Sequence, residues 1–295
     1  RAGFDKSVKI VPIGIDLEDF EKFGKRIIIN IGKPIEVASY MGEYHHNQAK
    51  AINRLRDTLR KELIDLTLHI PSAQYYNAIE TAAEVANGSI AGMFNIVNDT
   101  MSRFRVKQKI AEHLVGVAGK KPEVVQHLEA TCTIYRQQLT KLNLPDWIFE
   151  ESTVISRLKM AGIALLLLIG LPVFLPGLLL NLIPFLGPDF IIKTFKLQMP
   201  GGLSSIRFGI GLLVFPVMYV IQAYFICQKF QWSIMQFLIL IPLQFFLGKF
   251  SFRWYRQFQR LRIMLRFRRL QRNDSAELRK TVALHSEICG LVASA

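Results

Sequence analysis

Residues 160 to 187, MAGIALLLLIGLPVFLPGLLLNLIPFLG, contain no charged side chain. The run is longer than the roughly 20 residues an α-helix needs to span a hydrocarbon core. Such a stretch has to be surrounded by lipid or by protein, so the chain is not a simple water-facing domain. Two further runs follow: IRFGIGLLVFPVMYVIQAYFIC at 206 to 227, with one early Arg, and WSIMQFLILIPLQFFLG at 232 to 248, short but uncharged. Up to about Lys159 charged and apolar residues mix normally, so the protein has two parts. The two later runs, joined by a short turn at Lys229, predict a helical hairpin across a membrane. The first run is punctuated by Gly170, Pro172, Pro176, Gly177 and Pro184. Each proline removes a backbone donor and resists a straight helix. A bent or re-entrant hairpin is therefore expected there in preference to a clean span.

The net charge is +14, and it is unevenly placed. Between Lys249 and Arg272 lie Arg253, Arg256, Arg260, Arg262, Arg266, Arg268, Arg269 and Arg272, with no Asp or Glu. Arginines resist translocation, so this cluster is expected on the cytoplasmic side. The re-entrant reading puts residues 1 to 159 there too, giving an integral membrane protein whose soluble part and C-terminus are cytoplasmic. These eight arginines are expected to form a juxtamembrane collar on lipid headgroups, at ~1 kcal/mol each near an anionic surface. Trp254, Tyr255, Phe258 and Phe267 would lie at the interface. Nucleic acid is not expected as a partner, because the cluster adjoins an apolar hairpin and its arginines are distributed all round a helical wheel. Cys132, Cys227 and Cys289 are scattered, with no CxxC, which suits a reducing compartment without disulfides.

Near the N-terminus, VKIVPIGI (8 to 15) and RIIINIG (26 to 32) are short Val- and Ile-rich runs on either side of a polar connection, as expected for strands buried on both faces. From Asn47 to Ile70, Ile52, Leu55, Leu59, Leu63 and Leu66 recur at spacings of three and four, predicting an amphipathic helix ended by Pro71. Residues 73 to 158 read as several short helices broken at Asn87-Gly88, Gly119 to Pro122 and Pro145. The expected fold is an α/β remnant at 1–72, a helical connector at 73–158, a transmembrane or re-entrant region at 159–250 and a basic tail at 251–295.

A search for catalytic chemistry returns little. His45, His46, His69, His113, His127 and His285 lie in no HExxH, and the sequence has no G-x-S-x-G, no P-loop and no G-x-G-x-x-G. His45-His46 lacks further ligands for a metal, and no metal site is expected. His69 is expected at the C-terminal carbonyls of its helix.

The order VPIGI, polar loop, IINIGKPIEV, amphipathic helix, apolar C-terminal segments resembles the end of the catalytic domain of the glycerol-3-phosphate and 1-acylglycerol-3-phosphate acyltransferases. In that family the fourth sequence block is a strand with Val-Pro and an apolar residue, matched here by Val11, Pro12 and Ile13 and followed by Gly14. The resemblance implies that Val11, Pro12, Ile13 and Gly14 line the acyl or acceptor cleft. It also implies an O-acyl transfer in phospholipid biosynthesis, from an acyl-CoA or acyl carrier protein thioester to glycerol 3-phosphate or its 1-acyl derivative, with no other cofactor. The family's His-x-x-x-x-Asp block, which supplies the general base, is absent. Five residues beyond each histidine stand Lys50, Ala51, Gln74, Ala118, Cys132 and Gly290. The expectation is that a preceding portion of the domain is missing and that this chain alone is inactive. The alternative is a non-catalytic membrane-anchored protein whose helical domain recruits partners.

Overall fold

The computed structural model describes residues 8–17, 27–93, 99–151, 156–197 and 202–295. In chain order it contains β1 (Lys9–Ile10), β2 (Ile13–Leu17), β3 (Ile27–Ile31), β4 (Ile35–Glu36), α1 (Met41–His46), α2 (Gln48–Leu66), α3 (Tyr76–Met93), α4 (Thr100–Lys120), α5 (Pro122–Leu142), α6 (Trp147–Glu151), α7 (Arg157–Thr194), α8 (Leu203–Phe230), α9 (Ile234–Arg272) and α10 (Ala276–Ser294). The chain forms two compact units. The first takes the described residues of 1–18, 25–150 and 274–295, and the second those of 151–273.

In the first unit β2 pairs with β3 antiparallel, Ile13 opposite Ile31 and Leu17 opposite Ile27, and β1 pairs with β4. The connection between β2 and β3, residues 18–26, lies outside the described residues, and with it Arg26 of the second run. The strands do not have the two covered faces expected of them. Successive side chains alternate across a strand, and only one face meets the rest of the unit. Pro12, Gly14 and Asn30 turn inward and are buried. The other face carries Ile13, Ile15, Ile27, Ile29 and Ile31, each more than half exposed. The second face of the β2–β3 pair is thus made of exposed isoleucines.

Helix α2 begins at Asn47, whose side chain accepts a hydrogen bond from the Lys50 backbone N–H at 3.0 Å. It ends at Leu66, before the expected stop at Pro71. Its N-terminal Ile52 is 56% exposed, Leu55, Leu59, Leu63 and Leu66 are half-buried, and Ala51 is buried.

The helical region is built of three long helices where short ones were expected. Asn87-Gly88 lies inside α3 and does not break it, because the Asn87 amide finds a partner across the packing, donating from Nδ2 to the Arg103 carbonyl at 2.8 Å. The Asp99 carboxylate caps α4 through the amides of Met101 and Ser102 at 2.8 and 2.9 Å. Pro122 starts α5, where its missing N–H costs nothing, and Asn143 ends it in the left-handed conformation. The core between these helices holds Ile79, Val85, Leu114, Leu128 and Tyr135, all nearly inaccessible.

The fourth wall of that core is α10. Ile288 and Val292 belong to the same cluster, and Ile288 is completely buried. Two polar ties join α10 to α5: Lys141 to Glu277 at 2.5 Å and His127 to Glu287 at 3.0 Å. The last twenty residues are therefore part of the first unit's hydrophobic core, and the basic tail seen in the sequence ends with α9.

In the second unit α7 is a single continuous helix, although Pro172, Pro176, Pro184 and Pro188 lie within it. The expected hairpin break does not occur. Side chains of α9 cover the proline stretch and donate hydrogen bonds to its carbonyls, Trp254 Nε1 to Leu167 at 2.9 Å and Ser251 Oγ to Phe174 at 3.0 Å. The carbonyls that the four prolines leave without their helical donor are those of residues 168, 172, 180 and 184, so these two bonds fasten α9 to α7 without replacing the missing ones. The α8–α9 hairpin has the form expected from the sequence, with its turn at residues 231 to 233.

The three pairings are all antiparallel. On α7 and α9, Leu167, Phe174 and Asn181 face Trp254, Ser251 and Gln244 in turn. On α7 and α8, Asn181, Gly187 and Asp189 face Tyr219, Val214 and Arg207. Tyr219 of α8 faces Gln244 of α9. Three straight rods packed along their lengths cannot be antiparallel in every pair, so bending is built into the unit. The prolines Pro184, Pro216 and Pro242 lie within three residues of Asn181, Tyr219 and Gln244, and proline is the usual cause of a helix bend. The unit is thus three helical hairpins that meet at one junction.

Candidate functional site

The junction is polar. The Tyr219 hydroxyl donates to Asn181 Oδ1 at 2.6 Å, and Asn181 Nδ2 donates to the carbonyls of Gly177 at 2.9 Å and Gln244 at 3.2 Å. Gln244 Nε2 returns a bond to the Tyr219 carbonyl at 3.1 Å. Gln244 is fully buried. Side-chain amides and hydroxyls that bond across helices hold a bundle together where the hydrophobic effect no longer distinguishes helix from lipid.

Two glycines make the approach possible. A Cβ at Gly177 would stand 2.2 Å from Ser251 Oγ and 2.6 Å from the Leu247 carbonyl, and one at Gly248 would stand 2.4 Å from Asn181 Oδ1. Small residues at a membrane interface let backbones come close. Gly177→Leu is expected to destabilise the α7–α9 pair by about 1–3 kcal/mol through overpacking. Thermal melting of the detergent-solubilised protein checks this, with Gly162→Leu, which meets open space, expected to match the parent.

The outer surface of the unit is apolar. Leu166, Leu168, Leu179, Phe190, Leu213, Phe225, Ile234 and Met235 are each at least 60% exposed. All three helices are long and apolar enough to cross a bilayer. Such a surface suits contact with lipid.

At the end of the α7–α9 hairpin the charge changes. Arg157 at the start of α7 joins Arg268, Arg269 and Arg272 of α9, with Phe267, Gln271 and Asn273, around an open cleft of about 960 Å³ that, among the described residues, no carboxylate lines. Of the eight arginines singled out in the sequence, three meet in this cleft. Arg253, Arg256, Arg260, Arg262 and Arg266 are exposed along α9 outside it, and the Arg256 guanidinium lies 5.8 Å from the Phe252 ring. Trp254 stacks between Phe174 and Phe258, with ring centroids 3.9 and 5.6 Å away. Arg157 could not be assigned from the linear pattern, because it lies more than a hundred residues from the cluster it joins.

The four strand residues separate into two pairs. Gly14 packs under α2, where a Cβ would be 2.3 Å from the Leu66 carbonyl, and the Pro12 carbonyl accepts the Gly32 amide at 2.9 Å. Val11 and Ile13 point to the open isoleucine face, 45% and 51% exposed.

In the first unit the buried polar centre is Tyr135. Its hydroxyl donates to Asp146 Oδ1, and its ring lies against those of Phe149 and His285, 6.2 and 6.0 Å between centroids. Burial, reinforced by the Asp146 carboxylate, holds the phenol protonated far above the usual tyrosine range. Burial likewise pushes the Cys132 thiol up to about 12, so it is no nucleophile. The His127–Glu287 pair is a histidine with a carboxylate, invisible in the sequence because its members are far apart. It lies exposed between α5 and α10 and fastens one to the other. Among the described residues no group of three or more His, Cys, Asp or Glu is placed to hold a metal.

The chain is similar to glycerol-3-phosphate O-acyltransferase 1 of Saccharomyces cerevisiae, with 23% identity over 243 residues. The similarity covers 73% of this chain and 30% of the yeast protein. No family model matches the chain, and no solved structure does. The similarity supports a distant relationship to an acyltransferase.

Proposed function

We propose that this chain is the C-terminal, membrane-embedded part of a glycerolipid O-acyltransferase. The enzyme moves a fatty acyl group from an acyl-CoA or acyl carrier protein thioester to glycerol 3-phosphate or a 1-acylglycerol 3-phosphate in phospholipid biosynthesis. The observation that carries this reading is the similarity to the yeast acyltransferase over most of the chain. The open face of β2 and β3 supports it: five exposed isoleucines are the surface on which the rest of an α/β acyltransferase domain would pack.

In this reading the chain contributes support to the chemistry and does not perform it. The acceptor hydroxyl needs a general base, and the His-x-x-x-x-Asp block that provides one in the family is not among these residues. Val11 and Ile13 reach the acyl or acceptor cleft from the open face, while Pro12 and Gly14 fix the strand on α2. The second unit keeps the enzyme in the membrane, where both the acyl donor's chain and the product partition. Its arginines hold the basic end of the α7–α9 hairpin at anionic headgroups on the cytoplasmic side, and the soluble part lies on that side with it.

Reading the coding sequence upstream of Arg1 tests the proposal. A His-x-x-x-x-Asp block is expected within roughly two hundred residues, about one domain length. A start codon immediately upstream, with no such block, would contradict it.

A further inference from the structure

The α7–α9 hairpin changes character along its length. Gly248, the last residue of the uncharged run on α9, packs against Asn181 of α7. From there toward the basic end, Ser251 faces Phe174, Trp254 faces Leu167 and Arg268 shares a cleft with Arg157. The register is continuous, and it lays a charged part of α9 beside an uncharged part of α7. On α7 the uncharged run goes on from Asn181 back to Met160, about 30 Å of helix at 1.5 Å per residue. Over that length the partner helix carries Lys249, Arg253, Arg256, Arg260 and Arg262.

The two kinds of side chain lie on opposite surfaces. Leu167 and Phe174 face Trp254, so at about 100° per residue Leu165 and Ile169 turn away from α9. They are 58% and 66% exposed, and every other exposed residue of α7 from 161 to 170 is apolar as well. On α9, where Ser251 and Trp254 point to α7, Arg256, Arg260 and Arg266 turn outward and are exposed. A helical wheel of α9 alone hides this division, because the apolar half of the surface belongs to α7.

An upright hairpin cannot satisfy both surfaces. Hydrocarbon that covers Leu165 and Ile169 would bury the arginines at their level, and water that reaches the arginines would wet the leucines. The headgroup layer is about 5–8 Å thick on each side, too thin to hold a segment of about 30 Å standing on end. The edge of the apolar surface shifts by about 30 Å between two helices whose axes pack roughly 8–10 Å apart. That edge therefore runs more nearly along the hairpin than across it. A long apolar face opposite a cationic one is the pattern of a helix lying in the membrane interface, divided here between two helices. The apolar half also continues into the exposed apolar surface of the rest of the unit, at Leu175, Leu178 and Leu179.

We propose that the basic end of the hairpin, residues 157–170 with 253–268, lies along the membrane surface, α7 underneath with its leucines among the acyl chains and α9 above with its arginines among the lipid phosphates. The proposal rests on the second unit being embedded in a membrane. It replaces the collar of headgroups round an upright helix, expected from the sequence, by a contact with two different sides.

The test uses the full chain in open membrane fragments, where both membrane faces meet the reagent, with I169C and R256C made one at a time. These positions lie close to the Leu167–Trp254 contact, on opposite outer surfaces. Labelling by a charged maleimide is followed by site-resolved mass spectrometry, scaled to labelling in SDS, with the parent chain and its own three cysteines as the blank. R256C is expected to label at least tenfold faster than I169C. Equal rates, fast or slow, would mean that level along the hairpin decides exposure, and would overturn the proposal while leaving the membrane reading intact. A phosphatidylcholine with a photoreactive diazirine at the end of its acyl chain is expected to attach to the α7 peptide around Ile169 and not to the α9 peptide around Arg260. A protected I169C without that attachment would mean that protein covers the α7 face, and would also overturn it. Release of the parent chain by alkaline carbonate would overturn the membrane reading itself, and the proposal with it.

Discussion

Ile288→Asp is expected to unfold the helical part of the first unit. The Ile288 side chain is completely buried among α3, α5 and α10, and a carboxylate placed there finds apolar neighbours. An unpaired buried charge is among the few single changes that cost more than about 4 kcal/mol. For a domain of this size that corresponds to a loss of roughly 10 °C or more in melting temperature. Lys280→Gln, on the exposed side of the same helix, is expected to change little. Thermal melting and limited proteolysis of the detergent-solubilised chain distinguish the two, with new cleavage in α3 to α5 expected for the aspartate variant alone. Equal melting of both variants would mean that α10 is not part of this core.

The importance of α10 was open to view in the sequence. Leu278, Thr281, His285, Ile288 and Val292 recur at spacings of three and four, which is the mark of a helix with one buried face. The neighbouring arginines of α9 dominate the same stretch by charge, so the tail reads as one basic segment. The three membrane helices were legible because an uncharged run of spanning length has few other uses. What proline would do in the first of them was not legible. Whether Pro172, Pro176 and Pro184 break a helix depends on what packs beside them, and α9, which bonds to α7 through Ser251 and Trp254, lies more than seventy residues away. Asn87-Gly88 misleads in a similar way, since the Asn87 Nδ2 donates to a carbonyl of α4. In the strands, Val and Ile composition gave the β conformation but not how many faces are covered. The candidate site was legible as single residues and not as an assembly: the arginines of α9 stand out, whereas Arg157 and the junction of Asn181, Tyr219 and Gln244 exist only through packing.

The acyltransferase reading makes an all-or-none statement about activity. General-base catalysis contributes on the order of 10²–10⁴-fold, and none of the six histidines here has the family's aspartate five residues on. His127 has a carboxylate at 3.0 Å, but that pair is spent on joining α5 to α10. His285 is packed against Phe149, rings 5.6 Å apart, within the core. On the proposed reading the base is supplied by residues other than these. Membranes from cells expressing the reading frame extended upstream of Arg1 should therefore be compared with membranes containing residues 1–295 alone. Acyl-CoA and acyl carrier protein donors are each paired with glycerol 3-phosphate and with its 1-acyl derivative. The extended protein is expected to turn over at least one pair, and residues 1–295 alone to match membranes lacking the protein. Turnover by residues 1–295 alone, abolished by substitution of one of its own histidines, or no turnover of any pair by the extended protein, would contradict the account.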